Sequence, residues 1–415
     1  MSGRRLGLDR PLLGVVGLLL IYGVLMIYSA GVTDVPTPAS GAWEKQLIWI
    51  LLGVGAAWAT FSVSPRLLEW AAPPIYGLGL LVLVLTLIVG TGVGTAAGTK
   101  SWISIGGVSL GQPSEFAKLA TILMLARWLS SLREAPQSLR ELVPALVIVG
   151  VPALLVLKQP DLGSAIVFGG ILFAMLYWAG VRVSLLVLLA SPMVSLLLAF
   201  SVWSWGAWVV LLGILLWRWR PFVLEGIVIG ALNVLMGFIA LPLWKSLHPY
   251  QQNRLLTFLR PTFDPRGANY QALQSKVAIG SGGWFGAGYL RGPEKRLVFL
   301  PAQHTDFIFA VVGEELGFIG VLAALALFLT LLLVLVRIAR RANEPFGSLV
   351  AFGIVGLFFT HIFENVGMTV NLMPITGIPL PFFSYGGSFL IASALAVGLA
   401  LRVAWDSRLS GYADV

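Results

Sequence analysis

Cysteine is absent from all 415 residues, which excludes a disulfide framework and a thiolate metal site. Histidine is almost absent: there are three, two of them in polar stretches, which leaves little for a zinc centre. Charge is scarce as well. Charged residues make up 11% of the chain and hydrophobic residues 58%, whereas a soluble globular chain carries about 25% charged residues. The chain also lacks a cleavable signal pattern: after the basic stretch 1–10, the apolar run from Pro11 continues to about Tyr28 without a small-residue cleavage site. No internal repeat stands out, unlike the paired halves common in secondary transporters. The formal net charge of +9 suits a protein facing anionic lipid, and nothing in it calls for nucleic acid.

What is there is apolar, and it comes in blocks. They fall near residues 11–30, 47–63, 73–90, 114–130, 143–157, 162–180, 183–200, 203–217, 221–241, 307–336, 347–370 and 382–401. Roughly 20 residues span a bilayer as a helix, so the chain reads as an all-α polytopic membrane protein with about twelve crossings. The block at 203–217 is short for a crossing. Three regions follow: transmembrane helices over 1–244, a large polar loop over 245–306, and transmembrane helices over 307–415.

Sidedness follows from the basic residues, because short cytoplasmic loops concentrate arginine and lysine. With a cytoplasmic N-terminus, the inner ends collect fifteen arginines, from Arg4 to Arg408, and none of the seven lysines. The turns at Arg182 and at Arg218–Arg220 fit this pattern only if 203–217 crosses. Both termini are then expected inside, and 245–306 outside.

The loop 245–306 is the one long polar interruption. It carries Arg254, Arg260, Arg266, Lys276, Arg291, Lys295 and Arg296 against few carboxylates, of which Asp264 stands between Phe263 and Pro265. Loops of this length are functional or disordered, and its scattered Leu, Phe, Tyr and Trp can anchor it on a membrane. Its glycines (280, 282, 283, 286 and 288) lack the strand and GK[ST] of a phosphate loop and read as tight turns. The first outer loop, 31–46, reads as a plain connector.

A second set of charges sits at helix ends. Residues 102–105 alternate before Gly106-Gly107, a short hairpin signal; Pro113 then suits a first helical turn. Glu115 and Lys118 follow at i, i+3. They are either an interfacial pair that neutralises itself or charges marking a working cavity. Lys158 and Asp161 pose the same choice, as do Glu314 and Glu315, two neighbours that cannot both face one partner. His361 and Asn365 read as interhelical hydrogen-bond formers. Prolines and glycines in 371–388 forbid continuous helix, so that stretch reads as cavity-lining irregular backbone. Ser384–Ser388 then offers free N–H groups at a helix start, an anion-attracting arrangement.

Five stretches together resemble the SEDS (shape, elongation, division and sporulation) family, and its RodA branch in particular: KSWISIGGVSLGQPSEFAKLA (100–120), KQPDLGSA (158–165), NRLLTFLRPTFDPRGANYQALQSKVAIGSGG (253–283), FLPAQHTDFIFAVVGEELGFIG (299–320) and NVGMTVNLMPITGIPLPFFSYGGS (365–388). The resemblance implies a peptidoglycan glycosyltransferase of the bacterial cytoplasmic membrane. Such an enzyme polymerises lipid II at the outer face and works in the elongation machinery with a class B penicillin-binding protein. Members usually have ten transmembrane helices, so an extra hairpin is expected within 183–241. The family's essential aspartate falls on Asp264. Glu115, Lys118, Lys158, Asp161, Arg254, Arg266, Lys276, His304 and Ser384 are expected to line the substrate cavity. No organic cofactor is implied. An oxygen-ligand Mg²⁺ or Mn²⁺ near Asp264 would suit the diphosphate, although the residues define no such site. A lipid II flippase and a non-catalytic scaffold for the penicillin-binding protein are the competing readings.

The chemistry agrees with one carboxylate. Glycosidases need an acid for the departing sugar oxygen as well as a base or nucleophile. A pyrophosphate leaves as a stabilised anion, so a single base on the acceptor hydroxyl suffices, and cations must meet the leaving group.

Overall fold

The computed structural model describes residues 8–37, 39–92, 100–105, 108–219, 222–247, 252–253, 256, 258 and 270–413. Among these, each expected apolar block is a helix: α1 (Arg10–Gly31), α2 (Ala42–Phe61), α3 (Pro65–Val89), α4 (Pro113–Ser130), α5 (Leu139–Lys158), α6 (Leu162–Trp178), α7 (Val183–Leu198), α8 (Val202–Trp219) and α9 (Val223–Ser246). Two short helices follow in the polar loop, α10 (Tyr270–Ser281) and α11 (Pro293–Arg296). The chain then returns through α12 (Ile308–Arg341), α13 (Pro345–Thr369) and α14 (Gly387–Ala413). Eight of these helices are long and apolar enough to cross a membrane, and α6 and α7 are shorter apolar helices. The 102–105 alternation is a strand: β1 (Ile103–Ile105) pairs antiparallel with β2 (Val108–Gly111).

Helix starts follow local chemistry. Asp9, Ser64, Ser138 and Asp161 cap α1, α3, α5 and α6, each accepting a backbone N–H three residues on. Each such cap is worth about 1 kcal/mol. Pro11, Pro65 and Pro113 occupy first turns, where a missing N–H costs nothing.

Helix α13 is the axis of the bundle, with 72% of its apolar window buried, while α8 has 6%. Helices α7, α8 and α9 form a side module with a small cluster of their own, Leu188, Leu212 and Ile229. Lipid offers no hydrophobic drive to join helices, so polar groups act as the glue. Asn233 Nδ2 donates to Ser191 Oγ at 2.8 Å, Trp208 Nε1 donates to Asn233 Oδ1 at 3.1 Å, and Trp205 Nε1 donates to Ser195 Oγ at 2.8 Å.

The helix ends sort by charge. On one face, Asp9 takes Arg337 at 2.6 Å and Arg408 at 2.9 Å, joining the start of α1 to the ends of α12 and α14. Arg127 donates to the carbonyls of Glu69 and Trp70, Arg182 to Gln137, and Glu225 accepts from Leu139 N. The last of these contacts ties the start of α9 to the start of α5. Lys118 lies in the second turn of α4 and Lys158 at the end of α5, away from that face, whereas Lys276 and Lys295 lie in the short loop helices α10 and α11.

Candidate functional site

Helix α4 begins straight out of the β1–β2 hairpin, which fixes the direction of its first turn. Gln112 N donates to Ser388 Oγ of α14, and Gln112 Nε2 donates to Asp161 Oδ2 at 2.7 Å. Asp161 therefore joins α4 while its other oxygen caps α6. One turn further, Lys118 Nζ lies 2.8 and 2.9 Å from the two oxygens of Glu115, and 3.1 Å from His361 Nε2 of α13. Glu115 is 4% exposed and Lys118 0%. The pair is therefore buried, and it is internal to the bundle rather than interfacial. The three ammonium hydrogens have three protein acceptors, so Lys118 holds helices together in this state and has no hydrogen left for a ligand.

His361 Nδ1 meets the carbonyl of Pro379 at 3.1 Å, and Asn365 donates to the carbonyls of Asp306 and Ile378. Both side chains thus serve the irregular stretch 371–386. Ser384 is spent on that stretch: its hydroxyl accepts from Leu380 N, and its carbonyl accepts from Gln46. The free N–H groups expected at Ser384–Ser388 are largely taken. Ser384 N donates to Leu380 O, Tyr385 N to His304 O and Gly386 N to Gln46 Oε1. Ser384 and its neighbours build the wall instead of an anion cradle.

Glu314 and Glu315 do meet one element, contrary to expectation, because they use different groups of it. Glu314 accepts from the backbone N–H of Glu294 and Lys295 at the start of α11. Glu315 pairs with Lys295 Nζ at 2.7 Å and accepts from Ser29 Oγ at 2.5 Å. The glycine turns of the loop seat in α12 itself. At Gly317 the helix breaks (φ 63°, ψ −161°). There Ala287 N and Gly288 N donate to the carbonyls of Glu314 and Glu315, while Phe318 N and Ile319 N donate to those of Gly283 and Trp284. Non-helical backbone at membrane depth needs such partners. The stretch 31–46 is more than a connector: Asp34 pairs with Arg296 at 2.7 Å.

The remaining expected site residues divide. Lys158 is exposed at the end of α5 and Lys276 in the middle of α10, beside Ser275, whose hydroxyl donates to Thr369 O. Neither joins the buried cluster. His304 packs against Tyr385 with ring centroids 5.5 Å apart and planes tilted by 43°, and burial pushes its imidazole down to about 4. A ring that is neutral at pH 7 brings no charge to a diphosphate. Asp264, Arg254, Arg260 and Arg266 lie outside the described residues.

The sequence marks Glu364 as a polar residue in an otherwise apolar stretch but gives it no place in the site. It is 1% exposed, with Lys118 and Asp161 as its charged neighbours and the Thr376 hydroxyl beside it. Neither carboxylate oxygen has a well-aligned hydrogen bond, and the Thr376 hydroxyl also lies 3.9 Å from Met368 Sδ. A carboxylate three residues after His361 was the available signal. For a divalent ion the described residues do not fit: no three His, Asp or Glu side chains among them converge on one point.

A family model described as a cell cycle protein, FTSW_RODA_SPOVE, matches residues 10–212 and 201–409. The two matches overlap within α8. The chain is 36% identical over 397 residues to the peptidoglycan glycosyltransferase MrdB of Escherichia coli K12, covering 95% of this chain and 93% of MrdB. It is 35% identical over 406 residues to a probable peptidoglycan glycosyltransferase FtsW of Trichlorobacter lovleyi, covering 97% and 94%. A solved structure concerned with coordination of polymerization and crosslinking by a peptidoglycan synthase complex superposes with a TM-score of 0.72. It has 28% identity and covers 97% of this chain and 98% of that one.

Proposed function

The chain belongs to the FtsW/RodA/SpoVE (SEDS) family and is a peptidoglycan glycosyltransferase, and from that premise we propose that it polymerises lipid II into β-1,4-linked strands at the outer face of the cytoplasmic membrane. Asp264 is the base. It takes the proton of the acceptor's 4-hydroxyl as that oxygen attacks the anomeric carbon of the donor sugar. The bond to the diphosphate breaks in the same displacement, with inversion. General-base assistance of this kind contributes about 10²–10⁴-fold.

The observation that carries the reading is the cluster Glu115, Lys118, Asp161 and His361 at the helix ends opposite the arginine face. In this reading the arginine face is cytoplasmic, both termini are inside, and α7–α9 contain the extra hairpin. The cluster and the wall 371–386 give the described part of the site its fixed framework. Loop cations meet the leaving diphosphate, since Lys118 is already spent on Glu115 and His361. The partner is a class B penicillin-binding protein, and the cellular role is elongation.

The test is strand synthesis from lipid II by the purified protein with that partner, run beside a lipid II translocation assay in vesicles. Polymer without translocation supports the transferase. Translocation without polymer would favour a flippase. Neither activity, with intact partner binding, would favour a scaffold.

A further inference from the structure

One side chain, His361, links the buried ion pair to the irregular wall. His361 is 0% exposed and lies flat on Phe389, with centroids 4.5 Å apart and planes at 21°. Its two nitrogens face different elements. Nε2 meets the Lys118 ammonium of α4 at 3.1 Å, and Nδ1 meets the Pro379 carbonyl at 3.1 Å. An ammonium has only hydrogens to offer and a carbonyl only lone pairs. So Nε2 must present its lone pair, and the ring hydrogen must sit on Nδ1. The same arrangement completes Lys118, whose other two hydrogens go to Glu115. A buried ammonium with a hydrogen unmet would be costly.

The geometry points to His361 as a positioning residue of the transferase. As the Nδ1–H tautomer it holds Lys118 against the wall segment, so that α4 and the wall 371–386 keep one spacing. The wall carries the hold onward: Leu380 N, the residue after Pro379, donates to Ser384 Oγ; Gln46 then ties Ser384 and Gly386 to α2. This inference rests on the transferase reading only for its effect on rate.

Two measurements test it. The first needs no activity. With three histidines in the chain, ¹⁵N-histidine labelling gives few signals, and His361→Gln identifies its own by loss. The expected spectrum has Nδ1 protonated and Nε2 bare, and Lys118→Met shifts Nε2 while leaving His304 in place. A protonated Nε2, or one indifferent to Lys118→Met, overturns the assignment. The second measurement compares variants in strand synthesis. His361→Phe keeps the stack on Phe389 and loses both bonds. It should fold and bind the partner but lose about tenfold or more in kcat, as for a hydrogen bond to a charged group, with KM within about twofold. His361→Gln keeps an acceptor for Lys118 and should recover part of the loss. Wild-type kcat in the Phe variant overturns the proposal. So does equal loss in both variants that tracks lowered thermal stability. Should the wild type make no strands at all, the transferase reading fails while the labelling result still decides the tautomer.

Discussion

Lys295 and Glu315 pair at 2.7 Å with neither side chain exposed, and both also engage Ser29. This three-way contact fastens the end of the polar loop to α1 and α12 together. Breaking one side of a buried pair costs about 3–5 kcal/mol, because the remaining charge is stranded. Lys295→Ala should therefore lower the unfolding temperature in detergent sharply. The double change Lys295→Met with Glu315→Gln should recover a substantial part of it. Equal losses in the single and double variants would show that the charge pairing is not what matters.

The break in α12 depends on close backbone approach. A Cβ on Gly317 would lie 2.4 Å from Gly286 N, and one on Gly286 would lie 2.1 Å from Glu315 O; both positions have positive φ. Gly317→Ala and Gly286→Ala should each lower folded yield and thermal stability. Gly280→Ala has open space around the new methyl and should be neutral or slightly stabilising in helix α10. Normal yield and stability for Gly317→Ala would mean that the loop does not seat in the break.

Native cysteine is absent, so single cysteines report topology cleanly. Arg218→Cys and Lys276→Cys both fall at exposed positions. With the arginine face inside, an impermeant maleimide should label the Lys276 position in intact cells and the Arg218 position only after permeabilisation. Labelling of both from outside would refute the extra hairpin in α7–α9.

Much of the fold is legible in the residues alone because lipid imposes a simple code. Lipid-exposed backbone must be a helix or part of a closed barrel and blocks of roughly 20 apolar residues suit the helix, so each apolar block becomes a helix, and arginine at alternate ends sorts the two faces. The buried ion pair is legible in part, through the i, i+3 spacing of Glu115 and Lys118. Its third member is not, because His361 lies 243 residues from Lys118 and no local pattern joins them. The seating of the glycine turns in α12 is hidden for the same reason. Gly317 falls inside a block, 307–336, that reads as one continuous helix, and only the partners Gly283 to Gly288 reveal that the helix breaks there. The lysines at 158 and 276 carry the opposite lesson. A charge at an outer helix end signals its face of the membrane, but not whether the side chain turns toward the bundle.

His304 supplies a pH test. Burial lowers its folded value to about 4 from an ordinary 6.5, so the unfolded chain binds more protons between those values. Stability is then fullest above pH 6.5 and falls as the pH drops toward 4, by at most about 1.4 kcal/mol per unit. His304→Phe keeps a ring against Tyr385 and cannot titrate. Its unfolding temperature should depend less steeply on pH across that window. Parallel pH profiles for wild type and variant would remove His304 as the cause.

Asp264→Asn bears most directly on the chemistry. Asparagine keeps the size of the side chain and much of its hydrogen bonding, but it cannot accept the acceptor's hydroxyl proton. If Asp264 is the base, strand synthesis should fall by at least about 10²-fold, the low end for general-base assistance. Binding of lipid II and of the penicillin-binding protein should barely change, since neither involves that proton. A carboxylate that held a metal ion would behave differently, with partial recovery at raised Mg²⁺ or Mn²⁺. A carboxylate needed for folding would lose expression and partner binding together with activity. The three outcomes separate in one set of purified complexes, wild type beside variant, assayed for strands, for partner retention and across a divalent-ion series. Near-normal strand synthesis by Asp264→Asn would take the base away from this loop altogether. Of the described carboxylates, Glu115, Glu314 and Glu315 are already engaged by protein donors. Glu364, buried and without a well-aligned hydrogen bond among the described residues, would be the next to replace.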